Sequence, residues 1–454
     1  MRHSIATVSL SGMLREKLEA IAAAGFDGVE IFENDLLQFS GKPREVQTIA
    51  SDLGLTIDMF QPFRDFDGTT PAQVARSLDR LERKFDVMEE LGTRLILVCS
   101  NVQPDALGDF DALAEQFGRA AERAARRGMR IAYEALAWGS RINRFAQAWE
   151  VVKRVNHPNL GLTLDSFHTL SVRDEPRPIA QLPAEKIFYV QLADAPWVST
   201  DVLTHSRHYR CFPGQGEFDL VGFMNALLDS GYGGTISLEI FNDEFRAAPA
   251  RTNALDARRS LLWLEEQVHA SRGETRRSPA PLFAAPPPPQ FSGWAFIEFA
   301  VDPATARALV PYLTRLGFTY LGRHRSKDVD LYGAGEVRLV INREEDSFAR
   351  SYFDLHGATV CALALAADHP ERGVQRAEAL RCDSFRGAIG PGELAIPAVA
   401  APDGSLLYFC GPPRNGRPSF ESDFAIEAES SARAGGSTAR VDHIVQALPR
   451  GQLE

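Results

Sequence analysis

RIAYEAL (Arg130–Leu136), LGLTLDSFH (Leu160–His168), IFYVQLAD (Ile187–Asp194) and TISLEIF (Thr235–Phe241) share one pattern. Each is a short run in which bulky apolar residues alternate with small or polar ones, as half-hidden strands do. Ile131 and Tyr133 alternate with Ala132 and Glu134, and Leu162 and Leu164 with Thr163 and Asp165. Val190 and Leu192 flank Gln191, and Ile236, Leu238 and Ile240 alternate with Ser237 and Glu239. Successive side chains on a strand face opposite ways. The bulky set therefore faces covering helices, and the small and polar set faces the other side.

Upstream, SIATVSL (Ser4–Leu10), GVEIF (Gly28–Phe32), TIDMFQPF (Thr56–Phe63) and RLILVCS (Arg94–Ser100) also read as strands. Amphipathic stretches such as MLREKLEAIAAAG and FGRAAERAARRG lie between strands and end in Gly, a common helix stop. Eight strands alternating with helices predict an α/β fold, a (β/α)8 TIM barrel over residues 1–272. A doubly wound open sheet is the alternative, but it wants a Gly-rich phosphate loop after the first strand, and none is present.

In a barrel the small and polar set points at the axis. Glu134, Asp165, Gln191 and Glu239 then converge near the C-terminal ends of four consecutive strands, where barrel enzymes place their sites. One acidic residue near a strand end is usually a cap or a solvated rim residue; four in matching positions read as a ligand set. Three converging carboxylates repel unless protonated or neutralised, and a divalent cation neutralises them. Four oxygen ligands without cysteine favour Mg²⁺, Mn²⁺ or Co²⁺.

His168, three residues after Asp165, is a candidate acid or base beside that metal, against a purely structural role. In SRHYRCFPGQGEFD (Ser206–Asp219), Arg210 is a candidate clamp for an anionic substrate, or else a surface ion-pair residue. Ser206 and His208 are weaker candidates on the same loop. Gln61 and Arg64, in QPFR after the third strand, are substrate candidates with rim solvation as the plainer reading.

The net charge of −11 argues against nucleic acid as a partner. No run of about 18 apolar residues suggests a membrane span, and the first residues lack signal-peptide order. The five cysteines, Cys99, Cys211, Cys361, Cys382 and Cys410, form no CxxC pair, which suits reduced thiols in the cytoplasm. RRSPAPLFAAPPPPQ (Arg276–Gln290) marks a linker over 273–290, since four prolines in a row fit neither helix nor central strand. AESSARAGGSTAR (Ala428–Arg440) reads as a flexible connector. These boundaries leave a second domain over 291–427 and a stub to residue 454.

GFDGVEIFEND, Glu134 in YEAL, DSFH, QLAD, PGQGEFD and LEIFND together resemble the sugar-phosphate isomerase-like barrels, which include xylose isomerase-like enzymes. FIEFAVD, LGFTYLGRHRSKDVDLYGAGEVRLVINRE and DGSLLYFCG resemble the first half of 4-hydroxyphenylpyruvate dioxygenase, a vicinal-oxygen-chelate fold of βαβββ modules. VDHIVQALPRGQLE is similar to the opening strand of that enzyme's second half, where His443 matches the first iron ligand. The resemblance implies that the chain stops before the remaining iron ligands, as in a truncated product.

A barrel of the first kind joined to a domain of the second resembles the bacterial 3-dehydroshikimate dehydratases of quinate and shikimate catabolism. That resemblance implies metal-assisted loss of water from 3-dehydroshikimate to give protocatechuate. Some single-domain members carry His two residues after the first metal Glu; Leu136 stands there in this chain, so His168 becomes the preferred base. A sugar or keto-acid isomerase or epimerase on the same metal site is the alternative. The second domain is expected to cover the barrel or to mediate homo-oligomer formation.

Overall fold

The structure, a computed structural model, describes residues 1–273, 276–413 and 417–447. The chain forms two compact units, Met1–Ala284 and Ala285–Glu454.

In the first unit eight strands close a parallel barrel. They are β1 (Arg2–Ala6), β2 (Gly28–Phe32), β3 (Thr56–Phe63), β4 (Leu95–Cys99), β5 (Arg130–Glu134), β6 (Leu160–Asp165), β7 (Ile187–Leu192) and β8 (Thr235–Leu238). Pairing of β1 with both β2 and β8 closes the ring and excludes the open sheet. The alternation behaves as the barrel requires. Tyr133 turns outward and packs on Phe117 of the helix Phe110–Arg126, with ring centroids 4.3 Å apart. Ala132 turns inward into a separate cluster with Met59, Leu97, Cys99 and Tyr189. The helix Phe110–Arg126 is followed by Gly128 at φ +65°, a left-handed turn that glycine adopts without a Cβ penalty.

Two strands are shorter than their sequence pattern. SIATVSL stops being a strand at Ala6, and Thr7–Ser9 forms a 3₁₀ turn. Here side chains take over the ladder: Thr7 Oγ1 accepts from Phe32 N at 3.1 Å, and Ser9 Oγ accepts from Ile240 N at 2.9 Å. The same bond ends β8 at Leu238, so Glu239 lies one residue past its strand.

The barrel unit also reaches further than the expected limit at residue 272. Its last helix is Ala250–Arg272, but the proline-rich segment first folds back on the barrel. Phe283 N donates to Glu265 Oε2 at 2.7 Å, the Met1 ammonium donates to Pro281 O at 2.7 Å, and Leu282 packs on the barrel core. Of the segment read as a spacer, 280–284 is therefore part of the barrel unit.

The second unit is one nine-stranded sheet. Its strands are β9 (Phe291–Ala300), β10 (Thr319–His324), β11 (Val329–Ala334), β12 (Val337–Asn342), β13 (Thr359–Ala367), β14 (Ser384–Phe385), β15 (Ala398–Ala400), β16 (Leu406–Cys410) and β17 (Phe424–Ile426). They lie in the order β14-β15-β16-β13-β9-β12-β11-β10-β17. β9, the helix Pro303–Arg315 and β10–β12 make one βαβββ module. β13, the helix Pro370–Ala379 and β14–β16 make a second, and the two join through antiparallel β9 and β13.

The expected flexible connector is instead a helix, Ala428–Gly435. Gly335 N bonds Ala434 O and Glu336 N bonds Ala439 O, both at 2.9 Å, which fasten it to the β11–β12 turn. Residues 441–447 form no strand, and His443 is exposed, with Nδ1 on Asp442. The rest of that stub, 448–454, lies outside the described residues. Among the described residues, no helix is long and apolar enough to cross a membrane.

Candidate active site

Four strand ends build a buried cup at the C-terminal mouth of the barrel. Glu134 ends β5, Asp165 ends β6, Gln191 sits one residue before the end of β7, and Glu239 follows β8. Asp165 is level with Gln191 in the ladder. All four are buried.

Asp165 has two tasks. Its Oδ1 accepts from Phe167 N (2.6 Å) and His168 N (3.3 Å), capping the short helix Ser166–Leu170. Such a cap is worth about 1 kcal/mol, and here it also sets His168 on the same side of the cup. The other oxygen, Oδ2, accepts from Arg210 Nη1 at 2.9 Å. Glu239 Oε2 accepts from the same nitrogen at 3.1 Å, and its Oε1 from Gln61 Nε2 at 2.9 Å.

Two buried oxygens in the cup, Glu134 Oε1 and Gln191 Oε1, have no hydrogen-bond partner among the described residues. Burial first, then the charges of Glu239 and Asp165, push the Glu134 carboxyl well above the usual range. Burial likewise raises Glu239, with Arg210 opposing. An orphaned amide oxygen, an orphaned carboxylate oxygen and mutually repelling carboxylates form a donor set that a hard cation would satisfy. Glu134, Asp165 and His168 offer ligand atoms within 4.8 Å of one another. The donor set fits a divalent metal ion.

Sequence reasoning missed the residue beneath the cup. Glu30, on β2, is wholly buried. It accepts from Gln191 Nε2 (2.7 Å), Gln61 Nε2 (2.9 Å) and the Ser237 hydroxyl. These bonds turn the amide oxygen of Gln191 away from Glu30, and Gln61 ties Glu30 to Glu239. Burial, then Glu239, raises the Glu30 carboxyl well above its ordinary range. The signal was present in GVEIF, where Glu30 stands between Val29 and Ile31 in the same alternation as the later strands.

His168 Nδ1 faces Ala137 N at 3.2 Å, and Nε2 faces Arg210 Nη2 at 3.2 Å. Nε2 is 3.8 Å from both Glu134 Oε1 and Asp165 Oδ2. Burial first, then Arg210, Arg207 and Arg64, hold the imidazole well below its ordinary pKa, so it is neutral. Arg210 is 1% exposed. Beyond its two carboxylates it reaches Ser206 Oγ through Nη2 (2.9 Å) and Nε (3.3 Å), and lies over the Phe167 ring. Burial disfavours its charge, but Asp165, Glu239 and Glu134 outweigh that and raise its pKa.

The remaining candidates lie apart from the cup's centre. His208 is half exposed and bonds Asp243 Oδ2 at 2.7 Å, on the rim. Arg64 lines a neighbouring cleft of about 610 Å³ with Arg80, Arg83, Lys84 and Arg207. Arg207, also missed, lies over the rings of Trp138 and Phe241; Trp138 in turn packs edge-on to His168. No periodic signal marks it, because Arg207 sits on a seven-residue helix between Ser206 and His208.

Comparison with known proteins adds to this geometry. Residues 18–267 match the family model of xylose isomerase-like TIM barrels, and residues 287–425 that of the N-terminal part of hydroxyphenylpyruvate dioxygenase. A 3-dehydroshikimate dehydratase of Pseudomonas putida is 52% identical over all of this chain and 72% of its own length. One from Pseudomonas aeruginosa is 54% identical with the same coverage. A solved structure described as a xylose isomerase-like TIM barrel/4-hydroxyphenylpyruvate dioxygenase fusion protein is 52% identical, with a TM-score of 0.87. That match covers 94% of this chain and 69% of the other.

Proposed function

The chain belongs to the 3-dehydroshikimate dehydratase family, and from that premise we propose that the cup dehydrates 3-dehydroshikimate to protocatechuate. The observation that carries the reading is the pair of orphaned oxygens, Glu134 Oε1 and Gln191 Oε1, in a cup of three carboxylates beside a neutral His168.

Glu134, Asp165, Gln191 and Glu239 would hold one divalent cation, with Mg²⁺, Mn²⁺ and Co²⁺ the ions that suit oxygen ligands. When bound, it supplies Lewis-acid stabilisation of the charge that develops on the substrate's ketone oxygen. The protein moves the protons. Both ring nitrogens of His168 face N–H donors, and the charged one, Arg210, is the stronger. In the tautomer with its lone pair on Nε2, the ring can take a proton on the cup side.

His168 Nε2 takes the proton from the carbon between the ketone and the departing hydroxyl. Glu134 Oε1 and Asp165 Oδ2 lie 3.8 Å from that nitrogen. The imidazolium so formed gives that proton to the hydroxyl, which leaves as water. A further proton shift makes the ring aromatic.

Arg210 is committed to Asp165 and Glu239 and orients them. Arg207 and Arg64, on the cleft beside Trp138, receive the substrate carboxylate. Ser206, fixed by Arg210, completes that wall.

The test is a spectrophotometric assay of chelator-stripped protein with 3-dehydroshikimate, with and without each metal. Metal-dependent appearance of protocatechuate, abolished at least about 100-fold in Glu239→Ala, is expected. No product with any metal, from folded protein that binds one, sinks the dehydratase and favours an isomerase or epimerase.

A further inference from the structure

The second unit contains a cavity of about 490 Å³, in the size range of small-molecule sites, roughly 300–1,000 Å³. Its walls include β9, β10, β12, β14, β16 and β17, and residues 386–389 and 393–397 line one side. It shares no residue with the barrel cup.

One wall is a continuous run of rings. Tyr408 packs on Phe296 (centroids 5.8 Å apart), Phe296 on Phe420 (4.9 Å), Phe420 on Phe424 (6.5 Å), and Phe424 on His324 (5.2 Å). Against that wall stand three polar groups with unused bonding capacity. Glu298 Oε1 accepts from Asn342 Nδ2 at 2.7 Å, while its Oε2 has no partner among the described residues. His324 Nδ1 accepts from Lys327 N (3.2 Å) and Ser326 N (3.3 Å), which puts the ring proton on Nε2. The Tyr408 hydroxyl also lacks a partner among the described residues. All three residues line the cavity.

We propose that this cavity binds a small, neutral, hydroxylated aromatic ring of the phenol or catechol class. An aromatic hydroxyl donates to Glu298 Oε2 and accepts from His324 Nε2 or Tyr408. Its flat ring stacks on the wall, an arrangement aromatic pairs favour by about 0.5–1.5 kcal/mol beyond burial. An ammonium ligand satisfies Glu298, and the Tyr408 oxygen can accept from it, but the His324 Nε2 proton then faces its N–H groups. A ring carrying a carboxylate meets Glu298, Asp346, Glu371, Glu393 and Asp423 on the lining, against only Lys327 and Arg386. Lys327 is already paired with Glu393 at 2.8 Å. Burial raises the Glu298 carboxyl above its ordinary range, as expected of a charge short of partners.

The test is calorimetric titration of catechol into the chelator-treated 454-residue protein. Saturable binding is expected, weakened at least about tenfold by Glu298→Gln and by Tyr408→Phe. Protocatechuate and benzylamine should bind this site more weakly than catechol does. Tyr408→Phe deletes one unbonded oxygen and carries the test if Glu298→Gln fails to fold. No saturable catechol binding, binding unchanged in both variants, or tighter benzylamine than catechol binding overturns the proposal. Because both variants lie in the second unit, the result is independent of the barrel's activity.

Discussion

The four oxygen residues were legible because a strand's two-residue period leaves no ambiguity about which side chains share a face. What they touch was not. Arg210, read as a clamp for an anionic substrate or a surface ion-pair residue, is buried between Asp165 and Glu239. No local pattern announces a contact between residues 45 positions apart. Glu30 is the clearest residue-scale consequence. It holds the Gln191 amide by its nitrogen, so Glu30→Gln should let that amide turn its nitrogen into the cup. Metal affinity is expected to fall about 10–100-fold, the usual cost of losing a group that orients a ligand, measured by titration into stripped protein. Unchanged affinity would remove Glu30 from the site. Arg207→Ala should raise KM for 3-dehydroshikimate about tenfold or more with kcat little altered, since a carboxylate clamp binds substrate and transition state alike. A fall in kcat at constant KM would place Arg207 in the chemistry instead.

Among elements, existence was easier to read than extent. The first and eighth strands end early because Thr7 and Ser9 hydroxyls occupy ladder positions, and a hydroxyl in an alternating pattern looks like any other polar residue. The helix Ala428–Gly435 was hidden by its Ser and Gly content, and tertiary contact with the β11–β12 turn overrides that weak propensity. The loop after β3 carries a pH-dependent cost. Asp67 is buried, its Oδ2 accepts from Tyr133 at 2.8 Å, and its Oδ1 has no partner. Burial lifts its pKa to about 6. A raised carboxyl favours the fold while protonated and loses that contribution as pH climbs from the unfolded value, about 4, through 6. Asp67→Asn keeps an acceptor for Tyr133 without the charge. Its melting temperature should therefore gain on the parent between pH 4 and 6 and hold a constant lead above pH 7. A pH-independent difference between the two proteins would exclude this origin.

At the scale of the whole molecule, the division into two units was legible from the proline run, and the break after Ala284 falls inside the segment read as a linker. Composition shows where a chain cannot be helical or paired; it does not show that Leu282 and Phe283 find a place against the barrel. A chain of residues 1–284 should keep metal-dependent turnover within about tenfold of the parent, since every cup residue and its own core lie inside it. A chain ending at 272 should melt several degrees lower, because it loses the Phe283–Glu265 and Met1–Pro281 bonds. Equal melting temperatures would show that the returning segment contributes nothing.

Arg210 also bears on how the protein lives without its ion. A guanidinium lodged between Asp165 and Glu239 is a cation tethered to the resin it neutralises. Two of the cup's carboxylates thus carry a counter-charge supplied by the chain itself, so their mutual repulsion is partly offset within the fold.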